Sequence, residues 1–139
     1  MRYSKSINLL ILIIMLGIAC KKDNTTTGTS KAEPIVGNWR VSSFVKDSVD
    51  LTAQFTPYLF NSTANGGLSI HDNNNTYNSS WNWSDDNHTM CHFHIMGCDN
   101  NSVLWEVEDD WELVSYNTQS CHFKTHNPHH NSTMIWTKY

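Results

Sequence analysis

Basic residues are scarce in this chain. Its 139 residues include nine Lys and Arg against thirteen Asp and Glu. Beyond residue 34 only Arg40, Lys46, Lys124 and Lys138 are basic, and they are spread singly over about 105 residues. A protein that binds nucleic acid needs a basic patch to neutralise phosphates. The composition therefore argues against nucleic acid as a partner.

The motifs of several common chemistries are missing as well. The sequence has no Cys-x-x-Cys or His-Glu-x-x-His zinc motif, no glycine-rich phosphate loop and no serine in a nucleophile elbow. We therefore expect a protein that is not an enzyme and that needs no cofactor.

The most hydrophobic run of the chain is short and lies at its beginning. Residues 8–19 are almost entirely apolar, follow Arg2 and Lys5, and end at Cys20. A charged head, a short apolar middle and small residues before the cut are typical of a secretion signal, and this run is too short to span roughly 30 Å of hydrocarbon. We predict that residues 1–19 are a signal peptide.

The junction of Ala19 and Cys20 resembles the cleavage box of bacterial lipoproteins, although Gly17 stands where that family usually has leucine and Leu16 lies one place earlier. The resemblance implies a lipid on Cys20 and attachment to a bacterial membrane, with the outer membrane as the expected location. The alternative is an ordinary signal peptide with an incidental cysteine. Residues 20–34 are small and polar, which predicts a flexible tether before a domain at residues 35–139.

From residue 35 onward apolar and polar residues alternate, and this period of two predicts β-strands. Residues 50–55 predict one short helical turn, and residues 103–108 are expected to be extended. In the first strand we expect Trp39, Val41, Ser43 and Val45 to face inward. The eight predicted strands cover residues 38–46, 58–62, 68–70, 76–83, 89–96, 111–116, 120–125 and 132–139.

Eight short strands with hairpin-length connections favour an all-β fold, an eight-stranded antiparallel up-and-down barrel with one short helical turn. Closure of the barrel removes the exposed strand edges. An open sandwich is the alternative.

Gly37, Asn38 and Trp39 match the glycine-x-tryptophan sequence with which lipocalins open their first strand. Together with the lipoprotein-type start, the turn at residues 50–55 and the hairpin at residues 58–70, they make the chain resemble the lipocalin-like lipoproteins of Bacteroidetes-type bacteria. The resemblance covers residues 35–139 and implies a small lipocalin-like barrel on a lipid anchor. It names no ligand, because the ligands of that family are mostly unassigned.

In lipocalins the first-strand tryptophan closes the barrel floor and packs beneath a basic side chain near the end of the last strand. If the first and last strands are antiparallel neighbours here, Trp39 meets Lys138. The resemblance thus implies that Gly37, Trp39 and Lys138 form a structural barrel floor.

The inward aromatic side chains leave two functions open. In the first, the barrel binds a small apolar or amphipathic ligand and no side chain reacts. In the second, the same side chains fill the interior of a scaffold or interaction protein, since eight-stranded barrels can be packed solid. The candidate lining residues are Val41, Tyr58, Phe60, Ile70, Trp81, Trp83, Trp111, Leu113, Phe123 and Trp136.

A metal site on the barrel is a third hypothesis. His92 and His94 would share one strand face, near enough for a zinc or copper ion, with His122 as the third candidate ligand. Burying Phe93 and Ile95 in place of two imidazoles is worth several kcal/mol. We therefore expect both imidazoles to face solvent and predict no metal ion.

Three cysteines lie in the predicted domain: Cys91, Cys98 and Cys121. Export permits a disulfide between Cys98 and either of the other two. In the alternative the thiols are small groups that fill core space.

Overall fold

Residues 33–139 are the part of the chain that the computed structural model describes. The predicted signal peptide, Cys20 and residues 20–32 of the predicted tether lie outside this part. None of the helical segments in residues 33–139 is long and apolar enough to cross a bilayer.

The described chain forms nine antiparallel strands and two isolated 3₁₀ turns. The turns span Thr52–Phe55 and Val103–Val107. The strands are β1 Gly37–Lys46, β2 Val49–Asp50, β3 Leu59–Ser62, β4 Gly67–His71, β5 Thr76–Trp83, β6 Met90–His94, β7 Asp110–Tyr116, β8 Ser120–Thr125 and β9 Ser132–Lys138.

Eight of the strands close into a barrel in the order β1-β3-β4-β5-β6-β7-β8-β9, because β9 pairs with β1. The short β2 is an extra strand that pairs with the end of β1. The predicted all-β fold, an eight-stranded antiparallel up-and-down barrel, is confirmed. The predicted extended segment at residues 103–108 is wrong, because it contains the second 3₁₀ turn, which buries Leu104 and Val107.

A bulge corrects the predicted inward face of β1. The register with β9 shifts between Val41 and Ser43, so that Phe44 lies in phase with the buried Met134. The extra residue moves Ser43 and Val45 off the inward face, where both were predicted. Burying a phenylalanine ring in place of a serine hydroxyl favours this register.

A second bulge changes the end of β7. The register with β8 shifts between Leu113 and Ser115, so that Tyr116 pairs with the inward-facing Cys121. Strict alternation would have put Ser115 on that side instead. Tyr116 therefore stands on the rim of the barrel, beside the chain that enters β1.

The core is the barrel interior. The buried residues of the interior are apolar except for Ser62, Ser79, Thr125 and Ser132. Each of these four takes part in a hydrogen bond through its side chain or its backbone. The turn between β3 and β4 needs glycine at position 66, where φ is +85° and a Cβ would approach the carbonyl oxygen of Trp81 at 2.7 Å.

Candidate functional site

The predicted lining residues surround the barrel axis, but they contact one another. Eight of the ten are buried, and Tyr58 and Trp83 are half-buried and pack against the core from its edge. The buried eight are Val41, Phe60, Ile70, Trp81, Trp111, Leu113, Phe123 and Trp136.

Trp136 occupies the centre of the interior. Its ring centroid lies 5.3 Å from that of Phe60, 5.0 Å from Phe93 and 5.3 Å from Phe123. A chamber large enough for a ligand would leave accessible surface on the rings around it. These four side chains expose at most 2% of their surface, so the interior is filled at this level.

Polar atoms in the interior are almost all paired. Within residues 33–139, the only buried side-chain nitrogen or oxygen without a hydrogen-bond partner is the indole Nε1 of Trp81. Its ring lies edge-on to Trp83, with the centroids 5.6 Å apart. An unpaired indole N–H lowers stability by roughly 1–3 kcal/mol, which the burial of the ring offsets.

One end of the barrel, which we call the Trp39 end, is closed by residues 33–36, the N-terminal segment. Ile35 is fully buried there, and its carbonyl oxygen accepts a hydrogen bond of 2.9 Å from the indole of Trp39 and another from the hydroxyl of Ser62. The segment crosses the opening of the barrel and blocks access to the interior from this side.

The opposite end is closed by the two 3₁₀ turns. Phe55 of the first turn stacks on Phe44, with 4.7 Å between the ring centroids. Val107 of the second turn is buried, and its carbonyl oxygen accepts a hydrogen bond of 2.9 Å from the indole of Trp111. Since both ends are covered, the barrel has no open mouth in the described residues.

Lys138 joins the last strand to the first at the Trp39 end. Its ammonium nitrogen lies 3.8 Å from the centroid of the Trp39 ring and donates a hydrogen bond of 3.0 Å to the carbonyl oxygen of Val36. Lys138 is also the register partner of Trp39, the neighbour that antiparallel pairing of β1 and β9 predicts. Gly37 has a φ of +140°, and a Cβ at this position would overlap the side-chain nitrogen of Lys138.

Glu33 holds the N-terminal segment on the other side. Its carboxylate accepts a hydrogen bond of 2.8 Å from the indole of Trp83 and lies 3.4 Å from Nδ1 of His88. The His88 ring stacks on Trp83, with 5.0 Å between centroids. Pro34 follows, and its carbonyl oxygen accepts a contact of 3.3 Å from the Cys121 thiol. The last two residues of the predicted tether thus lie against the barrel.

A surface pocket of about 360 Å³ lies beside this segment, and we call it the end pocket. Its walls are mostly apolar, and it is bordered by Pro34, Val36, Trp39, Tyr116 and Lys138, and also by the polar residues Glu33, Asn117 and Thr118. Of these, sequence reasoning singled out only Trp39 and Lys138, as parts of a closed floor. Pro34, Val36 and Tyr116 were missed, because only the path of the N-terminal segment and the bulge in β7 bring them there.

The histidines considered as metal ligands are not brought together. His92 lies 3.0 Å from a carboxylate oxygen of Asp110, and His94 lies 3.6 Å from Glu108, both on the outer face of the barrel. On β7, His92 pairs with Asp110 and His122 pairs with Ser115. These two positions are five residues apart, which is roughly 16 Å along the strand. In residues 33–139 no three His, Cys, Asp or Glu side chains are arranged to hold a metal ion.

A polar pocket of about 230 Å³ lies at the opposite end. It is bordered by Glu108, Asp109 and His130, and by the ion pair of Lys46 with Glu106. The acidic residues Glu106, Glu108, Asp109 and Asp110 are at the surface of this end, whereas Val107 among them is buried.

The three cysteines of the described chain are free. Cys91 and Cys121 are buried, and burial raises the pKa of Cys91 strongly and that of Cys121 to about 11. Cys98 is only half-buried, and burial raises its pKa less. The two buried thiols fill core space. This is the second of the two arrangements predicted from the sequence, and the disulfide with Cys98 is absent from the described chain.

No protein-family model matches the chain, and no curated protein matches it in sequence. A crystal structure of a DUF4847 family protein from Bacteroides vulgatus has the same fold, with a TM-score of 0.56 at 10% sequence identity. The match covers 75% of this chain and 93% of that one. At this identity the likeness concerns the fold alone.

Replacing Lys138 tests the closure of the Trp39 end. Lys138→Met should lower the free energy of unfolding by about 0.5–1 kcal/mol, because the cation over the Trp39 ring is lost. Lys124→Met is the matched control, an exposed strand lysine whose loss should change stability by less than about 0.5 kcal/mol. Urea unfolding measures both, and equal effects would contradict a special role for Lys138.

Thiol accessibility tests the cysteine assignment. In the folded Cys20→Ser protein at mildly alkaline pH, Ellman's reagent should react with one thiol, that of Cys98. Cys91 and Cys121 should react at least about a hundredfold more slowly, because burial keeps them protonated and out of reach. Cys98→Ser should remove the fast phase. Two or more fast thiols, or none before reduction, would contradict this assignment.

Proposed function

We propose that this protein is a lipid-anchored, lipocalin-like protein of the bacterial cell envelope whose barrel is a solid interaction module. In this proposal it is not an enzyme, and no ligand enters the barrel. The observation that carries it is the aromatic interior centred on the fully buried Trp136. It favours the scaffold alternative over a barrel that holds a small apolar ligand among its lining residues.

The energetics of the interior support this choice. A ligand inside would have to displace rings such as Phe93 or Phe123, each of which is buried against Trp136. Creating space for it would forfeit packing worth roughly 3–5 kcal/mol per large side chain. A protein of this kind therefore presents its partners with its outer surface and its two ends.

The lipid anchor is supported by the sequence before the barrel. The charged start, the apolar run at residues 8–19 and Cys20 form a lipoprotein-type signal. The barrel fold and the contact of Trp39 with Lys138 fit a lipocalin-like domain behind such a signal. We place the protein in the outer membrane, with its membrane attachment through Cys20.

Ligand titrations test the solid core. The fluorescence of the six tryptophans should show no saturable change with haem or zinc, because the interior offers no free volume. Any change with fatty acids should arise at the end pocket and should be lost in Tyr116→Ser and Lys138→Gln proteins. A one-to-one saturable change that persists in Tyr116→Ser and Lys138→Gln proteins would contradict the proposal. Those two variants alter the end pocket and replace none of the side chains around Trp136, so they separate surface binding from binding inside the barrel.

Metabolic labelling tests the anchor. Cells that express the full chain with labelled palmitate should incorporate the label into the protein, and Cys20→Ser should abolish incorporation. Cys98→Ser is the matched control, since this half-buried cysteine lies in the folded domain and should leave labelling unchanged. Unlabelled protein released into the medium would indicate an ordinary secretion signal.

A further inference from the structure

We propose that the Trp39 end of the barrel is a lipid-facing surface that rests on anionic phospholipids of the membrane to which the protein is anchored. In this proposal the end pocket binds the part of a phospholipid where the headgroup joins the acyl chains. This inference rests on the proposed lipid anchor and adds an orientation and a contact surface to it.

The first argument is where the chain enters the barrel. Glu33 lies at the Trp39 end, fixed by Trp83 and His88. Residues 21–32 separate it from Cys20, which is twelve residues. Twelve residues that behave as the predicted tether would have a root-mean-square span of about 20 Å. The Trp39 end is therefore the end that an anchor on Cys20 holds close to the membrane.

The second argument is the distribution of charge. The half of the barrel toward the opposite end carries nine carboxylates, Lys46 and Lys124, whereas the half toward the Trp39 end carries three carboxylates, Lys138 and Arg40. The nine are Asp47, Asp50, Asp72, Asp99, Glu106, Glu108, Asp109, Asp110 and Glu112. An anionic membrane surface repels the acidic end, so it favours the orientation in which that end points away.

Two of the three side-chain carboxylates at the Trp39 end are already engaged within the protein. Glu33 is bonded to Trp83, and Asp85 accepts hydrogen bonds from the backbone and hydroxyl of Thr89 and from the backbone of Met90. Only Asp86 has no such contact in the described chain. Lys138 is exposed, and its ammonium can therefore attract a lipid phosphate with little competition from neighbouring carboxylates.

The third argument is the apolar and aromatic character of this end. Tyr116 is 48% exposed and Tyr139 is 68% exposed, and both lie next to surface pockets that Trp39 also borders. The guanidinium of Arg40 lies 4.2 Å from the centre of the Tyr139 ring. Exposed tyrosines beside cations are typical of the membrane interface, where an aromatic ring meets both headgroups and acyl chains. The apolar wall of Pro34 and Val36 completes the surface.

Hydrogen exchange of the lipidated full-length protein tests the contact. The protein is reconstituted into vesicles of zwitterionic phospholipid with or without anionic phosphatidylglycerol, and it is compared with the same protein in detergent. In anionic vesicles the amides of residues 33–36 and 116–119 should exchange about tenfold more slowly than in detergent. Residues 72–75, in the turn at the opposite end, should exchange at the same rate in all three.

Variants identify the surface responsible. Tyr116→Ser and Lys138→Gln should each remove most of the protection in anionic vesicles, whereas Val49→Ser should not. Val49 is an exposed apolar residue at the opposite end of the barrel, in β2. Because Lys138→Gln also weakens the contact with Trp39, Tyr116→Ser provides the test that does not depend on barrel closure.

The outcomes separate this inference from the anchor. If the protein carries lipid on Cys20 and binds vesicles but residues 116–119 exchange as fast as in detergent, the lipid-facing surface is wrong and the anchor stands. Equal protection in zwitterionic and anionic vesicles would overturn the role of Lys138 and of lipid charge. Protein that carries no lipid and does not enter vesicles would overturn the anchor itself.

Discussion

The structure depends on the packing of aromatic rings inside a narrow barrel. An eight-stranded barrel encloses a space that side chains alone can fill, and here Trp136 takes its centre with Phe60, Phe93 and Phe123 around it. Each ring removes a large apolar area from water, and the edge-to-face arrangement of Phe123 and Trp136 adds a favourable electrostatic contact. The bulge that turns Phe44 inward serves the same packing.

The closed ends follow from this interior. Large rings near the strand ends would meet water if the barrel were open, so short segments cover them. At one end the N-terminal segment buries Ile35 and satisfies the indole N–H of Trp39. At the other the second 3₁₀ turn buries Val107 and satisfies the indole of Trp111. In both cases a tryptophan contributes apolar area and also fixes the covering segment through its one polar atom.

In the proposed function, solid packing leaves the outside of the barrel as the surface available to partners. Carboxylates gather at the end away from the N-terminal segment, whereas the Trp39 end combines an apolar pocket with an exposed lysine. The two ends of the barrel therefore differ in charge. This difference affects binding only if the orientation of the barrel is fixed. The proposed anchor at Cys20 supplies that constraint, because the chain enters the barrel at the less acidic end.

The positions of the strands and the pairing of Trp39 with Lys138 were predictable, because alternation and antiparallel register are local properties of the chain. The outward faces of His92 and His94 could also be predicted from the sequence, since their neighbours Phe93 and Ile95 are the apolar groups that gain more from burial.

The strand bulges could not be predicted in this way. Whether Ser43 or Phe44 turns inward depends on the volume left by Met134 and Trp111 on other strands. The same holds for the 3₁₀ turn at Val103–Val107, which forms to cover the core and not from its own pattern. The barrel and its inward aromatic residues could thus be read from local alternation along the chain. That the interior is full and that Tyr116 and Val36 border a pocket could be seen only in the folded protein, because free volume depends on side chains that meet from distant strands.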